Sequence, residues 1–114
     1  MGLPSDSEYI GKWVTQVRKG LLDYCVIRLL GNEEKYGYQL VQDLKKMPNL
    51  IITEGTIYPI LAKLKKEGLL QSELKDTGIG PTRRYYKLTK EGINMLKNMN
   101  DYWENLSRSI EKLR

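Results

Sequence analysis

Histidine is missing from all 114 residues, which removes the commonest general base and the commonest metal ligand. There is no Walker loop, dinucleotide fingerprint or Cys/His metal spacing. No carboxylates stand in a pattern that suggests a tuned acid–base pair. The sequence therefore predicts no enzyme, no metal site and no cofactor. Cys25 is the only cysteine, so an internal disulfide is impossible and a reducing cytoplasm is the expected setting. No apolar run approaches the ~18 residues that mark a membrane span. The stretch from Met1 to Glu8 lacks the basic start and apolar core of a signal peptide, so no membrane partner is expected.

What is present fits one domain with one modest core: 40% hydrophobic residues, 29% charged and a formal net charge of +5. The excess of cations hints at an anionic partner. The most informative stretch runs from Thr53 to Gly68. It opens on a hydroxyl residue suited to an N-cap and closes on a glycine suited to a C-terminal stop. Ile57, Ile60, Leu61 and Leu64 recur at i, i+3, i+4 and i+7, one buried stripe of a helix. The opposite face carries Gly55, Pro59, Ala62 and Lys66, flanked by Thr56, Tyr58 and Lys63. That face is small, basic and hydroxyl-bearing, as a helix laid against a polyanion requires. A plain amphipathic surface helix with solvated lysines would show the same stripe, so its neighbours decide. Pro59 is awkward, because beyond the first turn it deletes a backbone hydrogen bond. A kink there, or a later start near Thr56, would each resolve it.

The flanking segments read as a winged helix-turn-helix. Residues 8–18 form a short helical pattern with Ile10, Trp13, Val14 and Val17 on one side and Ser7 as a cap, and Gly20 is expected to interrupt or bend the chain. Leu22, Cys25, Val26, Leu29 and Leu30 make a core stripe, with Cys25 as a small buried hydrophobe. After the polar turn Gly31–Lys35, a second helix follows Tyr36 with Leu40, Val41, Leu44 and Met47 inward, ended by Pro48. Leu50–Ile52 is expected to be a short strand or an extended link. Helices joined by short turns, the third with an open basic face, form the helix-turn-helix plan. Leu69–Lys75 and Arg83–Leu88 read as two strands of a hairpin around the turn cluster Asp76–Pro81, with Leu70 and Leu74 on one face. This hairpin is the wing. Arg83 and Arg84 suit phosphate contact or entry into a minor groove, although solvated edge residues are the plainer alternative.

Thr89 is placed to cap a last helix. In it Leu96, Met99, Trp103, Leu106, Ile110 and Leu113 recur at alternating spacings of 3 and 4, an a/d seam. A helix of roughly 25 residues spans about 37 Å, more than this core needs, so the seam is expected to pair with a second chain, with Trp13 docking across the same interface. The expected fold is α+β and mostly helical. Residues 1–18 form a helical arm in the dimer contact, 19–88 a winged helix-turn-helix, and 89–114 a dimerisation helix. A twofold dimer sets two recognition helices one turn of double-stranded DNA apart. The expected contacts come from Thr56, Tyr58, Lys63 and Lys66 on the recognition helix, Tyr36 from the preceding helix, and Arg83 and Arg84 on the wing.

The ordered fragments Tyr36-Gly37-Tyr38, Gly55-Thr56-Ile57-Tyr58-Pro59 with Leu64, Glu67-Gly68-Leu69-Leu70, Gly80 through Tyr86, Leu88-Thr89 and Glu91-Gly92 resemble the PadR family of bacterial transcriptional regulators. The resemblance covers residue 20 onward. It implies a dimeric winged-helix DNA-binding protein, usually a repressor, of the short branch with a single C-terminal helix. Some short members bind flat, aromatic, often cationic drugs between subunits against a tryptophan of that helix. Trp103 matches that position, which makes Trp103, Met99 and Trp13 the candidate ligand contacts. A seam residue is the plainer reading of Trp103, and the two are compatible. The competing functions are a protein-interaction winged helix without an operator and a small-molecule-binding protein whose DNA contact is incidental.

Overall fold

The computed structural model describes residues 6–50 and 52–114, with side chains described from Glu8 onward. In chain order these residues form α1 (Asp6–Leu30), β1 (Lys35–Tyr36), α2 (Gly37–Lys45), α3 (Glu54–Lys66), β2 (Leu70–Lys75), β3 (Arg83–Leu88) and α4 (Lys90–Glu111). The sheet is antiparallel with order β1-β3-β2.

Three expectations about the elements themselves change first. Gly20 interrupts nothing, because α1 runs unbroken for 25 residues. The helix's favourable packing further along outweighs the roughly 1 kcal/mol that a mid-helix glycine costs. Ser7, expected to cap a helix beginning at residue 8, lies inside α1. Lys35, read as the end of a turn, and Tyr36, read as the entry to a helix, instead form the third strand of the sheet, pairing with Tyr86 and Tyr85. Two residues are too few to show a period of two, so no sequence pattern marks them. Of the link expected at 50–52, Ile51 lies outside the described residues, and Leu50 and Ile52 belong to neither helix nor strand.

The core gathers Leu22, Val26, Ile27 and Leu30 of α1 with Leu40, Val41 and Leu44 of α2. Ile57, Leu61 and Leu64 of α3, Ile52, Leu70 and Leu88 complete it. Met47, expected inward, is exposed just past α2, and Leu74 is 61% exposed because it sits at the far end of the wing, beyond the helices.

α3 begins at Glu54, so Pro59 does lie inside it. Thr53 occupies the N-cap position but makes no side-chain cap bond. Its hydroxyl instead lies 3.0 Å from the Thr56 hydroxyl. At the other end Gly68 takes φ +82°. The Gly68 and Leu69 amides donate to the Lys65 and Leu64 carbonyls at 3.0 Å each, a Schellman stop that turns the chain into β2. Thr89 then ties the wing back: its hydroxyl donates to the Gly68 carbonyl at 2.6 Å. The same hydroxyl accepts the Gly92 amide at 3.0 Å, capping α4 as expected.

α4 starts on the core and leaves it. Met95, Leu96 and Met99 pack against the core of their own chain. Beyond them the seam emerges, with Trp103 37%, Ile110 52% and Leu113 84% exposed. The front of α1 is likewise bare at Tyr9, Ile10 and Trp13. The result is an elongated body of 61 × 28 × 23 Å.

Candidate nucleic-acid interface

The wing, β1 and the start of α3 meet at a cleft of about 270 Å³ lined by Tyr36, Gly37, Tyr38, Tyr58, Arg83, Arg84 and Tyr86. Four of the expected DNA contacts, Tyr36, Tyr58, Arg83 and Arg84, are therefore neighbours in space, though they come from three separate elements.

The cleft's chemistry follows from strand alternation. Neighbouring strand residues project to opposite faces, so Arg83 and Arg84 are not equivalent. Arg83 shares a face with Tyr85 and Tyr36, and its guanidinium carbon lies 4.3 Å from the centre of the Tyr36 ring. Tyr36 in turn meets Tyr85 edge-on, with ring centres 5.4 Å apart. Arg84 is on the other face, donating to the Ser72 hydroxyl at 3.1 Å. Among the described residues neither arginine has a carboxylate partner.

Two other cations near the wing, Lys75 and Lys35, are already matched. Lys75 is bonded to Glu34 and lies 3.5 Å from Glu73. The bond to Glu34 is the largest of the effects that raise its pKa. Lys35 is buried, paired with Asp43 at 2.9 Å and Glu33 at 3.3 Å. Its pKa is raised, first by the Asp43 bond and against the opposing pull of burial.

Tyr58 lies across the start of α2, and a Cβ on Gly37 would fall 2.5 Å from its ring. Only glycine leaves room for that ring without a shift. Burial, with Glu54 and Tyr86 nearby, raises the Tyr58 pKa, so its hydroxyl remains a neutral hydrogen-bond donor.

The remaining recognition-helix candidates sit apart from this cluster. Thr56 is half-buried and engaged with Thr53. Lys66 is exposed near the end of α3. Lys63 points to α1, 2.6 Å from Asp23, in a hollow shared with Leu64, Leu69 and Met99. Its charge is matched before any ligand arrives.

The candidate ligand residues also separate. Trp103 borders a cavity of about 470 Å³ between α1, α2 and α4, with Tyr24, Cys25 and Met47 among its other walls. Met99 lines the Lys63 hollow instead, and Trp13 lines neither. Tyr24 was not legible as a site residue. Its hydroxyl donates to Asn100 at 2.5 Å and accepts from Arg28 at 2.8 Å, and its ring lies 6.4 Å from that of Trp103. Cys25 is half-buried, and burial, offset in part by Arg28, raises its thiol pKa. It stays a protonated wall residue.

A three-helix unit with a hairpin wing, a long projecting last helix and an acid-free arginine cleft beside the third helix defines a winged-helix DNA-binding regulator. Comparison with known proteins agrees. The profile of the transcriptional regulator PadR-like family matches residues 26–98. A PadR-like transcriptional regulator from Bacillus cereus is 36% identical, with 86% of this chain and 95% of that one covered and a TM-score of 0.79. A PadR family transcriptional regulator from Eggerthella lenta is 33% identical over 94% of this chain and 93% of that one, TM-score 0.80. A Streptococcus transcriptional regulator is 37% identical over 86% and 96%, TM-score 0.77. This chain belongs to the PadR-like family: it is a DNA-binding transcriptional regulator and not an enzyme.

Proposed function

We propose that the protein acts as a homodimeric repressor on an inverted-repeat operator. The observation that carries this reading is the pair of arginines without carboxylate partners among the described residues, set with Tyr58 at the junction of α3 and the wing. On this reading α3 enters the major groove with Tyr58 and Lys66 on its exposed side and the half-buried Thr56 at its edge, while Arg83 and Arg84 hold the flanking backbone. The exposed apolar seam of α4 and the bare front of α1 supply the surface for a second copy. A dimer lying across one operator blocks polymerase by occlusion, the simplest route to repression, and its setting is the cytoplasm.

The test is fluorescence anisotropy against fragments of the gene's own promoter across a salt series. Replacing Arg83 and Arg84 together by alanine should weaken binding to every sequence. The slope of log affinity against log salt should become shallower by roughly 0.9 for each phosphate that is no longer neutralised. An unchanged slope removes the wing from the footprint. Wild-type protein that binds no promoter fragment favours an interaction module without an operator.

The cavity beside Trp103 favours an added layer of control. Its volume falls in the range of about 300–1,000 Å³ typical of small-molecule sites, and its aromatic walls suit a small, flat, aromatic effector that releases the operator. Quenching of Trp103 fluorescence by a planar cation, with loss of operator binding at the same concentration, is the expected result. Quenching by a planar cation with no operator binding at any concentration favours a small-molecule-binding protein.

A further inference from the structure

We propose that Tyr36 is a positioning residue: its ring holds the Arg83 guanidinium in place for a DNA phosphate, and its own hydroxyl is not the contact. The proposal rests on the DNA-binding reading above and assigns Tyr36 a different job from the phosphate contact expected of it.

Three observations converge. Arg83 lies 4.3 Å over the Tyr36 ring, the geometry of a cation–π stack. A guanidinium stacked by its face keeps its N–H edge free, which is the edge that grips phosphate. Tyr36 itself is fixed twice, by the backbone pairing of β1 with β3 and by the edge-on contact with Tyr85. No carboxylate among the described residues competes for Arg83. A long side chain that would otherwise lose rotamer freedom on binding is thus ordered in advance.

The experiment compares Tyr36→Phe, Tyr36→Leu, Arg83→Ala and the double variant Tyr36→Leu/Arg83→Ala on a mixed-sequence duplex of about three helical turns, over a salt series. Tyr36→Leu should weaken binding by about 2- to 5-fold per protomer and flatten the salt slope in the direction of Arg83→Ala. Tyr36→Phe, which keeps the ring, should restore both. In the Arg83→Ala background, Tyr36→Leu should change nothing further. Without DNA, the Arg83 side-chain protons should show an upfield ring-current shift in wild type and Tyr36→Phe, absent in Tyr36→Leu.

Loss of binding in Tyr36→Phe equal to that in Tyr36→Leu overturns the proposal in favour of a hydroxyl contact. Additive effects in the double variant, or no ring-current shift in wild type, also overturn it. Wild-type protein with no salt-dependent affinity for the duplex brings down the DNA-binding reading and the proposal together. The other outcomes leave the DNA-binding reading standing.

Discussion

A methyl group added at Gly37 would sit 2.5 Å from Cε1 of Tyr58, closer than unbonded carbons approach. Gly37→Ala should therefore push the exposed Tyr58 ring aside and cost about 1 kcal/mol or less, at the low end of overpacking. In a Tyr58→Ala background most of that cost should vanish, a coupling that a double-mutant cycle of thermal unfolding would read. The buried Lys35 makes a second residue-scale case. Removing Asp43 takes away its nearer partner at 2.9 Å and leaves Glu33 at 3.3 Å, so Asp43→Ala should cost about 1–2 kcal/mol, less than stranding a fully buried charge would. Lys35→Met, which removes the charge itself, should cost far less. The two are separated by urea midpoints. The pH sign follows from the partners that raise the Lys35 pKa above its ordinary 10.5. The stabilisation from protonated Lys35 is complete below 10.5, the value for the unfolded chain, and is lost as pH climbs through the raised value. Neutral pH should leave the pair untouched.

Among the elements, α3 mixes what its sequence shows with what it hides. Its stripe of Ile57, Leu61 and Leu64 is buried as the spacing implies, and Ile60 packs at the edge of the same core. Its lysines look alike in sequence and differ in place. Lys63 is held at 2.6 Å by Asp23, 40 residues earlier in the chain, while Lys66 has no such carboxylate among the described residues. Lys66→Ala should lower DNA affinity and flatten the salt slope. Lys63→Ala should do less of both, because neutralising an already paired charge releases fewer counterions. The Asp23–Lys63 pair is half-exposed on its lysine side, so breaking it should cost no more than about 1 kcal/mol of stability. Anisotropy titrations of the two variants in parallel check the ranking.

At the scale of the molecule, one protomer leaves Ile10, Trp13, Leu106 and Ile110 open to solvent at the two long helices. A monomer gains nothing from an a/d seam it does not cover. If a second copy covers it, stability depends on concentration, and the unfolding temperature should rise with protein concentration. Leu106→Glu with Ile110→Glu should yield a folded protomer that sediments as a monomer and binds DNA far more weakly, because half-sites on separate protomers no longer bind as one linked pair. A dimer unaffected by that change would place the interface elsewhere.

Local rules were enough for much of this protein. Apolar spacing marked α2, α3 and α4, the turn cluster marked the hairpin, and Gly68 and Thr89 marked the junction between them, because these signals act within a few residues. The long-range pairings needed the tertiary structure. It joined α1 through Gly20 and gave Lys35 and Tyr36 strand partners at Tyr86 and Tyr85, far along the chain. It also bound Lys63 to Asp23, and set Tyr36 under Arg83 while sending Arg84 to the opposite face. Which cation stays free for a phosphate depends on what lies opposite it in space, and chain order does not encode that until the chain has folded.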